Sequence, residues 1–332
     1  MLHICADETF LEGRLRPERH LRLEQSAVDG VDSTGGLPDV AGSGSGPYRG
    51  ASSGGPRPPR EAPAGVRFFS FAAAIEAGPS LVRRLRTDVL HLHSPWLWDI
   101  AAAIRCATDV PIVYTAHSID RAEVEADEWL PHGSIQDDVL LGADRVIALS
   151  QSELGRLRAY YPDIRNRVHV VGNGICEPPR LPRRPPKDTI DILYVGRFAN
   201  RKGMVDLFEA LAIVARASPA TRFLFVGGGG RARRPEPVRA LGYGRARGHV
   251  TGLAVVVTDA GGPAEIVDHG VTGLVVAPRR PADLAAALLD LCGDEELRLR
   301  LGRAARRVVA ERYSCGQVVC ALEAVYDASC RS

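Results

Sequence analysis

The sequence predicts an α/β protein of two lobes, each a parallel sheet with crossover helices, and three observations carry that prediction. From residue 66 onward, short β-branched runs alternate with stretches of helical spacing, the pattern of strand–helix–strand units. The 332 residues, 45% apolar and 25% charged, suffice for two ordinary cores. A proline-crowded run over 178–186 can continue neither a helix nor a central strand, and it divides the alternation in two. The expected organisation is a poorly ordered segment over 1–65, an N-terminal lobe over 66–177, a linker over 178–187 and a C-terminal lobe over 188–332.

Taken in order, residues 1–65 show weak apolar periodicity, and Gly, Ser and Pro crowd over 30–63, leaving little apolar area to offset the entropy of ordering. The N-terminal lobe holds candidate strands at 89–93, 112–116, 146–149 and 168–171. Helical spacing covers 97–106 and 152–160, the second opened by Ser150 as N-cap with Glu153 three residues on. In the C-terminal lobe the candidate strands are 190–195, 222–226, 254–258 and 274–276, and the candidate helices 205–216, 282–291 and 295–311.

A net charge of +2 gives no overall electrostatic reason to expect nucleic acid or a membrane as partner. The seven cysteines include no C-x-x-C pair, which argues against zinc and against a disulfide framework, and so for reduced thiols. No apolar run approaches the ~20 residues of a membrane span, and the N-terminus lacks the charged-then-apolar order of a signal peptide. A cytoplasmic protein without stable membrane insertion is the expectation.

Two constellations carry chemistry. In the first, Tyr194-Val195-Gly196-Arg197 ends a strand and runs into Asn200-Arg201-Lys202-Gly203 and a helix. A glycine at the strand end lets a phosphate approach the backbone, the helix offers unpaired amides, and Arg197 and Lys202 supply two cations for a diphosphate. Two ordinary solvated cations on a surface loop are the plainer account. In the second, the strand of Gly252-Leu-Ala-Val-Val-Val-Thr-Asp-Ala-Gly261-Gly262-Pro-Ala-Glu265 ends in a glycine pair whose amides can hold an anion or a sugar hydroxyl. Glu265 falls in the first turn of the following helix, where a carboxylate also favours the helix dipole. A glycine-bracketed turn, Gly270-Val-Thr-Gly273, leads into the next strand.

The order VGR…KG, FVGGG, GLxVVxTDxGGxxEIV and GVTGLVV resembles the large retaining GT-B glycosyltransferase family 4, over roughly residues 88–325. The resemblance implies a GT-B fold of two Rossmann-like lobes, a nucleotide-sugar donor held mainly by the C-terminal lobe, no metal or other cofactor, and retention of anomeric configuration. Position by position it places Arg197 and Lys202 on the donor diphosphate, Gly261 and Gly262 near sugar and phosphates, and Glu265 near the donor site. In the N-terminal lobe, Asp88-Val-Leu-His-Leu-His-Ser-Pro-Trp and Pro111-Ile-Val-Tyr-Thr-Ala-His-Ser are similar to the family's acceptor-side strand ends, and His117 falls where a histidine faces the donor sugar. His93 and Ser94 are further pocket candidates, because the carboxyl ends of parallel strands face the crevice. Asp120 and Glu123 could reach an acceptor, although solvated loop charges explain them equally well.

Two departures bear on activity. The family's E-x7-E glutamates fall at Arg239 and Arg247, so both carboxylates are absent, and the stretch 229–252 is shorter than the family's and carries no apolar period. The Gly-rich turn that opens the family's N-terminal lobe has only a faint counterpart in Thr34-Gly35-Gly36-Leu37. The fold is thus expected to be GT-B with incomplete N-terminal and mid-C-lobe segments. The expected function is transfer of a sugar from a nucleoside diphosphate, UDP favoured, to a small soluble acceptor. DVLHLHSPW and YTAHSIDRAE are similar to enzymes that add N-acetylglucosamine or glucose to 2-deoxystreptamine in aminoglycoside antibiotic assembly. The alternative is a GT-B scaffold without turnover. A dinucleotide-dependent enzyme ranks last, because 231–237 is a poor helix start after Gly227 to Gly230.

Overall fold

Every residue of the strand Ile112–Ala116 is buried, on both of its faces, as a central strand covered by helices requires. The computed structural model describes residues 2–6, 20–24, 66–125, 133–175, 189–196, 198, 202–227 and 252–331. The chain forms two units: Met1–Leu149 with Leu154–Val170 and Glu323–Ser332, and Ser150–Glu153 with Val171–Leu322. The linker expected at 178–187, the Thr34–Leu37 turn, and Arg239, Arg247 and Glu236 lie outside the described residues.

The first unit is built on a seven-stranded sheet in the order β3-β2-β1-β4-β5-β6-β7. Its strands are β1 (Leu2–Ala6), β2 (His20–Glu24), β3 (Val66–Ser70), β4 (Leu90–Leu92), β5 (Ile112–Ala116), β6 (Arg145–Ala148) and β7 (Val168–Val170). β1, β4, β5, β6 and β7 pair in parallel, and β2 pairs antiparallel with both β1 and β3. β1 and β2 are two short strands within the segment 1–65, whose remaining residues lie outside those described. The apolar–polar alternation of HLRLE covers only five residues, too few to stand out from the Gly/Ser/Pro-rich stretch that follows.

Helices α1 (Phe71–Arg84), α2 (Trp98–Ala107), α3 (Asp120–Glu125), α4 (Gly133–Gly142) and α5 (Gln151–Tyr160) accompany these strands. Leu81 and Val82 of α1, Ile100 and Ile104 of α2, and Val139 and Leu140 of α4 join Leu90, Leu92, Ile112 and Val146 in one apolar core. Gly142 closes α4 against the Trp98 indole so tightly that a Cβ there would overlap the ring. Asp144 binds α2 to the sheet, pairing with Arg105 and accepting the Ile112 amide at 2.7 Å.

The second unit has two parallel strand pairs, β8 (Asp191–Val195) with β9 (Arg222–Val226) and β10 (Val256–Thr258) with β11 (Leu274–Val276). Helices α6 (Met204–Ala217), α7 (Gly262–Ile266), α8 (Pro281–Gly293), α9 (Glu295–Arg312) and α10 (Cys315–Cys330) complete the chain. Ala210, Leu211 and Val214 of α6 meet Ala285 and Leu288 of α8 in its core. Asp294 caps α9 by accepting the Leu297 amide at 2.8 Å. Cys315 is disulfide-bonded, which corrects the expectation that all seven cysteines are reduced, and its partner's side chain is not among those described. A search for short Cys spacings is blind to pairs that folding alone brings together.

Candidate functional site

In the first unit the candidate residues gather at the carboxyl ends of β4 and β5, which run in parallel with His91 level with Val113. Successive side chains of a strand alternate faces, so His91 and His93 share one face of β4 and its continuation, and Thr115 and His117 share one face of β5 and its continuation. His91 is fully buried, and its two ring nitrogens lie 2.7 Å from the hydroxyls of Tyr326 and Thr115. The His93 ring stacks on His91 with centroids 4.1 Å apart, and His93 Nδ1 lies 3.3 Å from Nε2 of the exposed His117. Ser94, half-buried, precedes a turn of 3-10 helix over Pro95–Leu97, and its side chain makes no capping bond there.

Asp120 opens α3. It is 4% exposed at the start of α3, with its amide donating to Gln136 Oε1 at 2.8 Å. Glu123 lies on α3, and its side chain is not among those described. Behind this helix, Arg121 donates to Asp137 Oδ2 at 2.8 Å and lies 4.5 Å over the Tyr161 ring, whose hydroxyl donates to Asp137 Oδ1 at 2.5 Å. Partial burial pushes the Asp137 carboxyl up, but the hydrogen bonds from Arg121 and Tyr161 outweigh it and hold the group below its ordinary range. Burial, and then the bond to Asp137, pushes the Tyr161 phenol well above its ordinary value.

In the second unit, β8 and β9 end side by side in glycine. The Gly196 amide donates to the Val226 carbonyl at 2.9 Å, and a Cβ on Gly227 would overlap the Gly196 carbonyl oxygen, so only glycine fits there. Lys202 is half-buried and immediately precedes Gly203, whose left-handed backbone (φ 67°) caps α6. Arg197 lies outside the described residues. Gly261, at φ 68°, is the cap of α7, and Gly262 is its first residue.

The Glu265 carboxylate is engaged by backbone amides of the chain itself. Its two carboxylate oxygens accept the backbone amides of Gln151 and Ser152 at 2.7 and 2.6 Å, while Ser150 Oγ accepts that of Glu153 at 3.1 Å. Three of the four amides that open α5 are thereby satisfied. The Ser150 cap is the one the sequence indicated; the reach of Glu265 back to residue 151 is not visible in local spacing. His91, Thr115 and Tyr326 also escaped the sequence reading. The i, i+2 histidines of Leu-His-Leu-His mark a strand face, but nothing local points to Tyr326, 235 positions on.

Among the described residues no group of three or more His, Cys, Asp and Glu side chains could hold a metal ion, and no helix is long and apolar enough to cross a membrane.

Comparison with known proteins agrees with this architecture. Residues 38–176 match the family model "Glycosyltransferase Family 4" and residues 250–308 match "Glycosyl transferases group 1". A glycogen synthase of Mycobacterium tuberculosis is 26% identical over 294 residues, covering 75% of this chain and 70% of the relative. A D-inositol 3-phosphate glycosyltransferase of Nocardia farcinica is 26% identical over 278 residues, covering 65% of this chain and 61% of the relative. Among solved structures, the sucrose-phosphate synthase of Thermosynechococcus elongatus superposes with a TM-score of 0.62 at 18% identity, covering 77% of this chain and 78% of its own. Anabaena Alr3699/HepE in complex with UDP-glucose does so with a TM-score of 0.57 at 17% identity, covering 76% and 81%. With parallel-stranded α/β units, a family 4 match in the N-terminal half and a group 1 match in the C-terminal half, the chain is a GT-B glycosyltransferase that uses nucleotide-sugar donors.

Proposed function

We propose that this glycosyltransferase moves a sugar from a uridine diphosphate donor to a small hydroxyl-bearing acceptor, with retention of configuration, without a metal cofactor and in the cytoplasm. The observation that carries the reading is the pair of parallel strands β8 and β9 ending in Gly196 and Gly227, with Lys202 and Gly203 opening the 14-residue helix α6. Unpaired amides at a helix start and a neighbouring ammonium fit a diphosphate, and Arg197, next after Gly196, adds a second cation. As the bond to the sugar breaks, negative charge grows on the departing diphosphate, and these two cations lower the barrier by offsetting it. In the second unit Gly261 and Gly262 offer amides to a sugar or phosphate, and in the first His117 is the candidate for a sugar contact, with His93 and Ser94 as candidates for the acceptor.

The similarity of DVLHLHSPW and YTAHSIDRAE to aminoglycoside-assembly enzymes favours an acceptor such as 2-deoxystreptamine, taking N-acetylglucosamine or glucose. The UDP-glucose complex of the Anabaena protein favours uridine as the base. Calorimetric titration of the purified chain with UDP and GDP, repeated on Arg197→Ala and Lys202→Ala, tests the donor site. Saturable UDP binding that weakens about tenfold or more in each variant is expected, since each removes a charge-assisted contact. Absence of binding to either nucleotide would favour a second reading, a GT-B scaffold without turnover. Arg239 and Arg247 at the E-x7-E positions are the observation behind that second reading.

A further inference from the structure

We propose that His91 and Tyr326 are positioning residues that seat the His93–His117 pair, so that the last helix of the chain sets the orientation of the imidazole facing the donor sugar. The proposal rests on the reading of His117 given above. Tyr326 and His91 touch no substrate in it; they act through His93.

The geometry is a ladder of rings rising from the core to the surface. Tyr326, 8% exposed, lies 2.7 Å from His91 Nδ1, with ring centroids 5.6 Å apart in an edge-on arrangement. His91 is held from its other side by Thr115 Oγ1, also at 2.7 Å. A neutral imidazole has one N–H and one lone pair, and of the two hydroxyls the phenol is the stronger donor. Tyr326 therefore donates to Nδ1, and His91 Nε2–H donates to Thr115. With both nitrogens bound the ring can neither flip nor tilt without stranding a buried polar group, which makes it a fixed platform. His93 lies on that platform, tilted by 35°, and reaches His117 at 3.3 Å, where the two centroids stand 5.6 Å apart. A displacement of about 1 Å at a reacting centre is enough to alter sugar binding and rate severalfold.

A histidine that only satisfies the core would also be buried and bonded twice. The two accounts part when the phenolic oxygen is removed: a core role costs stability alone, whereas a ladder also moves the rings above His91. The experiment uses the full chain with 15N-labelled histidine, comparing wild type and Tyr326→Phe by long-range proton–nitrogen spectra of the imidazoles. The variant should lose the single Nε2–H tautomer of His91 and shift the ring signals of His93 and His117. Its affinity for UDP-glucose should fall about three- to tenfold, the worth of one hydrogen bond, while its affinity for UDP alone stays unchanged. Thr115→Val releases the other nitrogen of the same ring and serves if Tyr326→Phe does not fold. His93 and His117 signals superimposable on wild type in either folded variant would overturn the ladder, as would equal losses of UDP and UDP-glucose affinity. A wild-type chain that binds no UDP would remove the donor reading, and the imidazole spectra would still decide the ladder.

Discussion

Glu265 accepts two backbone amides that open α5, and Ser150 accepts a third, so the first turn of that helix is closed by one carboxylate and one hydroxyl. A charged acceptor on helix amides is worth roughly what an N-cap is worth. Glu265→Ala should lower the unfolding free energy by about 1 kcal/mol, measured as a lower denaturation midpoint at unchanged slope. Glu265→Gln, which keeps one carbonyl acceptor, should recover part of that loss. At this scale the sequence is legible where the interaction is local: Ser150 with Glu153 reads as a cap from spacing alone. Glu265 reads as the dipole partner of its own short helix, because nothing in its neighbourhood points 114 residues back to Gln151.

The α3–α4 pair offers a pH-dependent counterpart. Asp137 on α4 takes hydrogen bonds from Arg121 on α3 and from Tyr161, and its carboxyl is held below its ordinary value of 3.8. A carboxylate depressed in the folded state stabilises fully above its unfolded value, and that contribution disappears as pH falls through the folded one. Asp137→Asn should therefore be less stable than wild type near pH 7, and the gap should begin to narrow as pH drops below about 4 and close as pH falls through the lower folded-state value; denaturation followed from pH 7 down into that acid range measures both. Elements of this size are largely readable. The strands Ile112–Ala116, Arg222–Val226 and Leu274–Val276 coincide with their short runs of β-branched, aromatic and other apolar residues, since parallel strands need little beyond such a run. Helix α1 escapes because Gly78 and Pro79 interrupt it, although its Leu81 and Val82 are buried and Gly78 packs against Ile104 at the closest distance a Cβ would tolerate.

At the scale of the whole molecule, two α/β units follow from the alternation of runs, but their membership does not follow the order of the chain. Glu323–Ser332 belongs to the first unit, where Val325 and Tyr326 are buried. Removing 323–332 should cost the first unit about 3–5 kcal/mol from these two side chains alone. Hydrogen exchange would show it as lost protection of the Leu90–Leu92 amides, ahead of any change in β8 and β9. No local signal announces that return, because it pairs residues 235 positions apart. It also gives synthesis a direction. A ribosome delivers β4 with its buried histidine long before the phenol that completes it, so the first unit must wait, partly finished, while every residue of the second is made. For this enzyme the half translated first is among the last to reach its final form, and a chain stalled late in translation would hold an ordered second unit while the sheet of the first still lacked its closing helix.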